Sequence, residues 1–259
     1  MRNIGAIFGK EMKSYFVSPI AYVVIAVFLV ISGYFFYGML SSFVQLCIRA
    51  NLQAHYYRMA PPKLNVNEWV IRPLFHNLSV IGIFMLPLIT MRLYSEEKRS
   101  GTMELLLTSP ITRVQTLLGK FLAALALYGA MIGVTLFHQI FLFSYGNPEG
   151  GPILSGYIGL LLEGAAFLSV GLLISSLTKN QIIAAVGSFG AFLLLWAIGW
   201  LANTSGPGLG KVLSSLSLID RFDNFAKGII DTGDLVFYLS FIFLGLFLTY
   251  RSVESERWR

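Results

Sequence analysis

The sequence has few charged residues and a single cysteine. Only 12% of its 259 residues are Asp, Glu, Lys or Arg, about half the share that soluble domains carry. This scarcity excludes an ordinary water-facing surface, and the 56% of hydrophobic residues favour a membrane protein. Cys47 stands alone, so no internal disulfide can form.

Several functional signals are also missing from the sequence. A P-loop needs G-x-x-x-x-G-K-[ST], and the nearest stretches, Gly5–Lys10 and Gly206–Lys211, are each one residue short. The three histidines are scattered, and no cluster of His, Asp or Ser predicts a metal or catalytic site. The chain is therefore not expected to be an enzyme, nor to bind nucleic acid. No cleavable signal peptide is expected, since the first apolar run starts only near Ile20 and is too long.

Six apolar stretches are long enough to cross a hydrocarbon core, which takes about 20 helical residues. The predicted fold is all-α, a polytopic membrane protein with six transmembrane helices. The spans are expected at 20–40, 73–91, 115–141, 153–177, 181–202 and 235–250. The last is the shortest, so it would snorkel at its ends or lie where the bilayer thins.

The basic residues predict the orientation. With the N-terminus inside the cell, twelve Lys and Arg fall in the inner segments and seven in the outer ones. Since cytoplasmic loops carry the excess of basic residues, both termini are expected in the cytoplasm. External loops are then expected at 41–72 and 203–234, the second with one or two short amphipathic helices. Residues 1–17 have apolar side chains at helical spacing with basic residues interspersed. This pattern is typical of an amphipathic helix in the membrane interface.

The most informative segment is the cytoplasmic stalk at 92–113, within the run MRLYSEEKRSGTMELLLTSPITRVQTLLGK. Gly101 interrupts a charged, helix-compatible stretch and permits a sharp chain reversal. Thr102 then suits the N-cap of a short helix, and Glu104 suits its positive end. That short helix is apolar because it contains Met103, Leu105, Leu106 and Leu107.

The chemistry of this short helix leaves two interpretations open. It could lie on the lipid headgroups, or it could insert into a groove of a soluble partner, since an apolar turn beyond the headgroups is otherwise an exposed patch without a purpose. Ser109 followed by Pro110 is a helix-start signal and predicts the beginning of the third span there.

The run RLYSEEKRSGTMELLLTSPITRVQTLLGKFLA resembles the signature of the type-2 family of ABC-transporter permeases, which is written around E-x-x-x-G-T-x-E-x-L-L-x-x-P-I. The matching residues are Glu97, Gly101, Thr102, Glu104, Leu106, Leu107, Pro110 and Ile111. Further local similarity at 171–181 and 219–231 extends the resemblance over nearly the whole chain. The subgroup that it is most similar to contains the gliding-motility and nitrous-oxide-reductase-maturation permeases.

The resemblance implies a permease subunit of an ATP-driven ABC transporter, expected to be an exporter, in the bacterial cytoplasmic (inner) membrane. ATP and Mg would be used by a separate dimer of cytoplasmic ATPase subunits, and no cofactor would be bound by this chain. A second permease copy, or a paralogous permease, would complete the membrane part, with room for a periplasmic or membrane auxiliary subunit. The cytoplasmic coupling helix would carry the ATPase contact, formed by Glu96, Glu97, Arg99, Gly101, Thr102, Met103, Glu104, Leu105, Leu106 and Leu107.

Two polar residues within the spans have two interpretations each. Glu163 is the sole acid inside a span, and a buried carboxyl is costly unless it is paired, protonated or hydrated. It is either a protonated or hydrogen-bonded link between helices or a part of the translocation pathway. His138, beside Gln139, either lines an opening or forms a packed interhelical hydrogen bond.

A second function remains open at this point. The chain could be the membrane scaffold of an ABC-type complex that energises or assembles a periplasmic or surface machine without conventional transport. The external loops would then hold the auxiliary subunit.

Overall fold

The computed structural model describes residues 2–60, 62–103, 111–206 and 208–255, and these residues contain helices and no strand. A π-helical turn, Asn67–Ile71, leads directly into the third helix. The α-helices are α1 (Arg2–Val17), α2 (Pro19–Tyr57), α3 (Arg72–Thr90), α4 (Ser95–Ser100), α5 (Arg113–Val134), α6 (Leu136–Tyr145), α7 (Gly150–Leu177), α8 (Gln181–Thr204), α9 (Leu209–Leu216), α10 (Leu218–Ala226) and α11 (Thr232–Ser255).

Six helical stretches of the described chain are long and apolar enough to cross a membrane. They are Pro19–Tyr57, Asn67–Ser100, Arg113–Tyr145, Gly150–Leu177, Gln181–Ala202 and Thr232–Ser255. The prediction of an all-α polytopic membrane protein with six spans is confirmed.

Two spans are longer than the apolar runs suggest. Helix α2 has 39 residues, or roughly 58 Å at 1.5 Å per residue, so the loop expected from residue 41 is helical as far as Tyr57. The polar residues that end the apolar run there are compatible with a helix that leaves the membrane, and the chain reverses only at Arg58, which has a left-handed φ of 52°. Helix α11 has 24 residues and extends beyond the apolar run 235–250 at both ends.

Helix α7 lies at the centre of the bundle and contacts α3, α5, α8, α10 and α11. Glycines allow this close packing. A Cβ on Gly156 would lie 2.2 Å from the Phe75 ring, and one on Gly164 would lie 2.0 Å from the Tyr128 ring. By contrast, α2, α8 and α11 bury only 22% of their most apolar windows, so their outer faces are available to lipid or to another protein.

The ends of the helices form two faces. On the first, α1 packs against α5 and α2, and Arg113 Nη1 at the start of α5 lies 3.3 Å from Glu254 Oε1 near the end of α11. On the opposite face lie the π-helical turn, α9 and α10. The first and last helices of the described chain therefore reach the same face.

Local capping explains where two spans begin. The Ser18 hydroxyl accepts from the Ile20 N–H, with Pro19 at the first helical position. Helix α5 begins at Arg113, where Thr112 and Gln115 form a reciprocal capping box. The start predicted at Ser109 and Pro110 is wrong for this span, because the stronger two-way cap lies three residues further on.

Candidate functional site

Lys120 joins three helices on the first face of the bundle. It is 1% exposed, and its Nζ lies 2.8 Å from Glu11 Oε1 on α1 and 2.9 Å from Glu97 Oε1 on α4. The ammonium also lies 5.3 Å from the centre of the Tyr94 ring. A buried ammonium needs such partners, because an unpaired charge is strongly disfavoured away from water.

Lys10 completes the cluster, which we call the charged junction and define as Lys10, Glu11, Glu97 and Lys120. Lys10 Nζ lies 2.9 Å from Glu97 Oε1 and 3.7 Å from Glu11 Oε1. Partial burial would lower the pKa of the Lys10 ammonium, but the hydrogen bond and charge of Glu97, with those of Glu11, raise this pKa above its ordinary value. The Lys10 ammonium is therefore held in the charged form.

The backbone brings these side chains together through a close approach of α1 to α5. Gly119 precedes Lys120, and a Cβ at that position would lie 2.7 Å from the side chain of Ile7. Asn3 Nδ2 donates to Gln115 Oε1 over 3.2 Å one turn earlier on α5. The missing side chain of Gly119 therefore lets α1 lie flat on α5, within reach of the Lys120 ammonium.

Helix α4 is fixed to the bundle on its other side. The backbone N–H groups of Tyr94 and Ser95 donate to Ser175 Oγ near the end of α7, over 3.1 and 3.2 Å. Lys98 is buried and donates to the backbone carbonyl of Ser176. The stalk is thus attached to α1 and α5 by the charged junction and to α7 by these bonds.

The turn after α4 projects from this fixed base. Gly101 has a φ of +72°, the left-handed conformation that favours glycine, which confirms the predicted reversal. Arg99, Gly101 and Thr102 are exposed, and Met103 is buried. Glu104, Leu105, Leu106 and Leu107, expected to form most of the coupling helix, lie outside the described residues.

The structure sorts the predicted contact residues into two groups. Arg99, Gly101 and Thr102 lie on the surface, as a partner contact requires. Glu97, which the resemblance places among those contacts, is 7% exposed and is held by Lys10 and Lys120 instead. Its burial follows from Lys120, because a cation inside the bundle needs an anion beside it. Glu96 is exposed and lines a cavity between α1, α2 and α3.

The predicted pathway residues have partners on different helices. Glu163 on α7 is 1% exposed and accepts a hydrogen bond of 2.7 Å from Ser79 Oγ on α3. This agrees with a hydrogen-bonded link between helices, although its second oxygen has no partner among the described residues. His138 on α6 stacks on Phe36 of α2, with ring centres 4.7 Å apart. The described contacts do not place Glu163 and His138 in one site.

Sequence reasoning overlooked the charged junction. Its signal is Lys120, a lysine inside an apolar run that continues to the outer end of the third span, since such a residue requires a buried carboxylate. The matching acid, Glu11, is the only acid in the amphipathic N-terminal segment. Which acids approach Lys120 depends on helix packing that a sequence pattern does not define.

A second ion-pair network lies on the opposite face. Asp223 on α10 accepts from Arg72 Nη2 over 2.7 Å and lies 2.6 Å from Lys227 Nζ, with His76 Nε2 at 3.0 Å. Burial alone would raise the pKa of the Asp223 carboxyl, but the hydrogen bonds from Lys227, Arg72 and His76, with the charge of Arg72, hold it below its ordinary value. The network ties α10 to the start of α3. Among the described residues, no group of three or more His, Cys, Asp or Glu could hold a metal ion.

Comparison with known proteins points to a transporter family. The family model described as "ABC-2 family transporter protein" matches residues 5–235. A 128-residue segment, 49% of this chain, is 30% identical to "Probable multidrug ABC transporter permease YbhR" of Escherichia coli K12 and covers 33% of that protein. A 117-residue segment, 45% of this chain, is 34% identical to "Probable multidrug ABC transporter permease YbhS" of the same strain and covers 29% of it.

The matched segments thus make up about a third of the length of these relatives. The family model, by contrast, extends from α1 to the start of α11 and includes the stalk, the charged junction and the central helix. With six candidate spans and the motif of the 92–113 stalk, the chain belongs to the ABC-2 family of transporter proteins.

Proposed function

We propose that the chain is the transmembrane permease subunit of an ATP-driven ABC exporter in the bacterial inner membrane. The face that carries α1, α4 and the end of α11 lies in the cytoplasm, together with both termini. A separate cytoplasmic ATPase binds and hydrolyses ATP with Mg. The relatives' names contain the word "multidrug", so drugs are the first substrate class to test.

The observation that carries the proposal is the position of the charged junction beneath the Gly101 turn. The segment 101–107 contacts the ATPase, with Arg99 at its edge. Force applied to this segment reaches α5 and α1 through Glu97 and Lys120, and α7 through Lys98 and Ser175. Helix α7 contacts most of the other spans, so a movement of the stalk reaches the core of the bundle.

The partners follow from the same arrangement. The weakly buried faces of α2, α8 and α11 are where a second permease copy, or a paralogous permease, pairs with this one. Each permease contributes one segment 101–107 to a dimer of ATPase subunits. The helices on the opposite face, α9 and α10, are where an auxiliary subunit binds if the complex has one.

A substitution in the segment 101–107 tests the proposal. Leu106→Asp places a charge in the apolar contact, so ATPase binding and export are expected to be lost while the protein stays in the membrane. The measurements are co-purification with the ATPase and substrate-stimulated ATP hydrolysis with flux in reconstituted vesicles. Leu177→Asp is the matched control, because Leu177 is a 67% exposed leucine on the same face, and it should retain both activities.

Two outcomes contradict the proposal. If Leu106→Asp assembles with the ATPase and exports substrate like the wild type, the segment 101–107 is not the coupling element. If the wild-type complex hydrolyses ATP without any flux but needs that activity to assemble a surface machine, the chain is a scaffold instead.

A further inference from the structure

A cavity between α1, α2 and α3 carries charged groups that the coupling proposal does not use. Its polar lining consists of Glu11, Ser14, Tyr15, Ser18, Arg92 and Glu96. The Tyr15 hydroxyl donates to the backbone carbonyl of Ile89 over 3.3 Å, which holds α1 against the end of α3. The cavity is therefore a fixed part of the fold at the level where the spans begin.

Arg92 and Glu96 lack partners in this cavity. They stand one helical turn apart, yet neither forms an ion pair or a side-chain hydrogen bond with another described residue. The Arg92 Nε is buried and has no hydrogen-bond partner, which is unusual for a guanidinium donor in a folded protein. Glu11, in contrast, is satisfied by Lys120 at 2.8 Å. The cavity thus presents one free cation and one free anion among its described residues.

The polarity of the cavity changes along the membrane normal. Its polar residues precede α2 or follow α3, whereas most of its apolar residues lie within α2 and α3 and include Ala21, Val24 and Leu88. Beside it, α2 exposes Tyr22, Val23 and Val27 by 58%, 58% and 39%. The lining thus changes from charged groups through hydroxyls to apolar side chains. This order matches a phospholipid that lies along α2 with its headgroup at the level of Ser18.

We propose that this cavity binds the headgroup of a zwitterionic phospholipid that carries a primary amine, a phosphatidylethanolamine. The phosphate accepts from the Arg92 guanidinium and from the Ser14 and Ser18 hydroxyls, and the ammonium donates to the Glu96 carboxylate. An anionic headgroup leaves Glu96 unpaired and repelled, and a trimethylammonium group has no N–H to donate. The enclosed volume is about 30 Å³, room for about two water-sized groups. Phosphate oxygens therefore enter beside Arg92, the ammonium stays outside at the exposed Glu96 carboxylate, and the glycerol and acyl chains lie along α2.

Lipid retention tests this inference and needs neither an ATPase nor a transport assay. The full chain is reconstituted in nanodiscs of phosphatidylethanolamine mixed equally with phosphatidylcholine and phosphatidylglycerol. Lipid that remains bound after transfer to detergent is counted by native mass spectrometry. The wild type should retain the ethanolamine lipid about tenfold over either other lipid, as the loss of one charge-assisted hydrogen bond predicts.

The variants assign the retention to the two charged residues. Arg92→Gln and Glu96→Gln should each lower it about tenfold, while Arg92→Lys keeps the charge and should retain more lipid than Arg92→Gln. Lys179→Gln and Glu68→Gln are matched controls, since both residues are exposed, lie outside the cavity and form no ion pair with a described residue; they should retain lipid like the wild type. Unfolding temperatures measured in parallel show that each variant is folded.

Three results overturn the inference. Equal retention of phosphatidylglycerol removes the role of Glu96, and equal retention of phosphatidylcholine removes the ammonium hydrogen bond. If inorganic phosphate binds the wild type but not Arg92→Gln and displaces the lipid, the site serves a soluble anion rather than a membrane lipid.

Discussion

Lys120 shows how much the fold depends on a single charged side chain. Its ammonium is buried where α1, α4 and α5 meet, and it contacts carboxylates from two of these helices. Two charges that are buried together gain little over a well-packed apolar pair, but removing one of them leaves an uncompensated charge. The charged junction is therefore easily disrupted by the loss of one member.

The variant Lys120→Met tests this dependence. It leaves Glu11 and Glu97 with only the more exposed Lys10 as a partner, and breaking a buried pair in this way costs about 3–5 kcal/mol. We expect a lower unfolding temperature of the purified protein and easier proteolysis of α1. A thermal melt in detergent measures the first effect, and limited proteolysis measures the second.

Arg251→Met serves as the comparison for Lys120→Met. Arg251 also pairs with a glutamate, at 3.0 Å from Glu254, but its side chain is 66% exposed, and exposed pairs contribute less than about 1 kcal/mol. The unfolding temperature of the Arg251→Met protein should stay close to that of the wild type. Equal unfolding temperatures of Lys120→Met and Arg251→Met would show that burial does not determine how much the charged junction stabilises the protein.

For single residues, the sequence predicts the backbone conformation better than it predicts which charged side chains pair with each other. Gly101 could be assigned to a reversal, because a glycine between a charged stretch and an apolar stretch has few other roles, and its φ confirms it. Glu97 looks like a surface residue in the sequence, since its neighbours are Glu96 and Lys98. Only the packing of α1 on α5 turns it inward, and that packing depends on Gly119 and Ile7, which are more than 100 residues apart.

Among the helices, the central α7 is the least tolerant of added volume. Gly156, Gly159 and Gly164 meet aromatic side chains of neighbouring helices, since small residues let helices approach closely. A Cβ on Gly164 would lie 2.0 Å from the Tyr128 ring, whereas nothing lies within 4 Å of a Cβ on Gly133 in α5. The same substitution therefore has opposite consequences at these two positions.

Gly164→Ala should destabilise the protein by about 1–3 kcal/mol, because it forces the Tyr128 ring away from α7. Gly133→Ala should be neutral or stabilising by up to about 1 kcal/mol, since alanine is the better helix former. Unfolding temperatures of the two single variants measure the difference. Tyr128→Ala combined with Gly164→Ala should melt no lower than Tyr128→Ala alone, because the clash is gone. Similar melting of the two alanine variants would contradict the close contact.

The ends of the helices were harder to predict than their number. Apolar runs define where a helix can lie in lipid, so six of them give six spans. They do not show where the helix stops, as α2 demonstrates by continuing to Tyr57. Capping residues give that information, and the pair Thr112 and Gln115 was a stronger signal for α5 than Ser109 and Pro110.

For the whole molecule, the two faces of the bundle must lie on opposite sides of the membrane. Lys179, between α7 and α8, is exposed on the face with α1 and α4, and Lys211 on α9 is exposed on the other. The excess of basic residues predicts that the first of these faces is cytoplasmic. The proposed ATPase contact depends on that orientation.

Cysteine labelling tests the orientation. In a Cys47→Ser background, which removes the single native thiol, Lys211→Cys should react with a membrane-impermeant maleimide in intact spheroplasts. Lys179→Cys should react only after the membrane is permeabilised. The reverse pattern would place α4 outside the cell and would exclude an ATPase contact through the segment 101–107.

The composition of the charged junction has a consequence for energy transduction. Its two ammonium groups and two carboxylates sum to zero, and all four lie within 4 Å of an opposite charge. Moving one elementary charge through 100 mV takes about 2.3 kcal/mol, but moving this cluster as a unit transfers none. If the stalk moves as proposed, displacement of the junction as a unit contributes no net charge movement, and the membrane voltage neither drives nor resists that part of the motion.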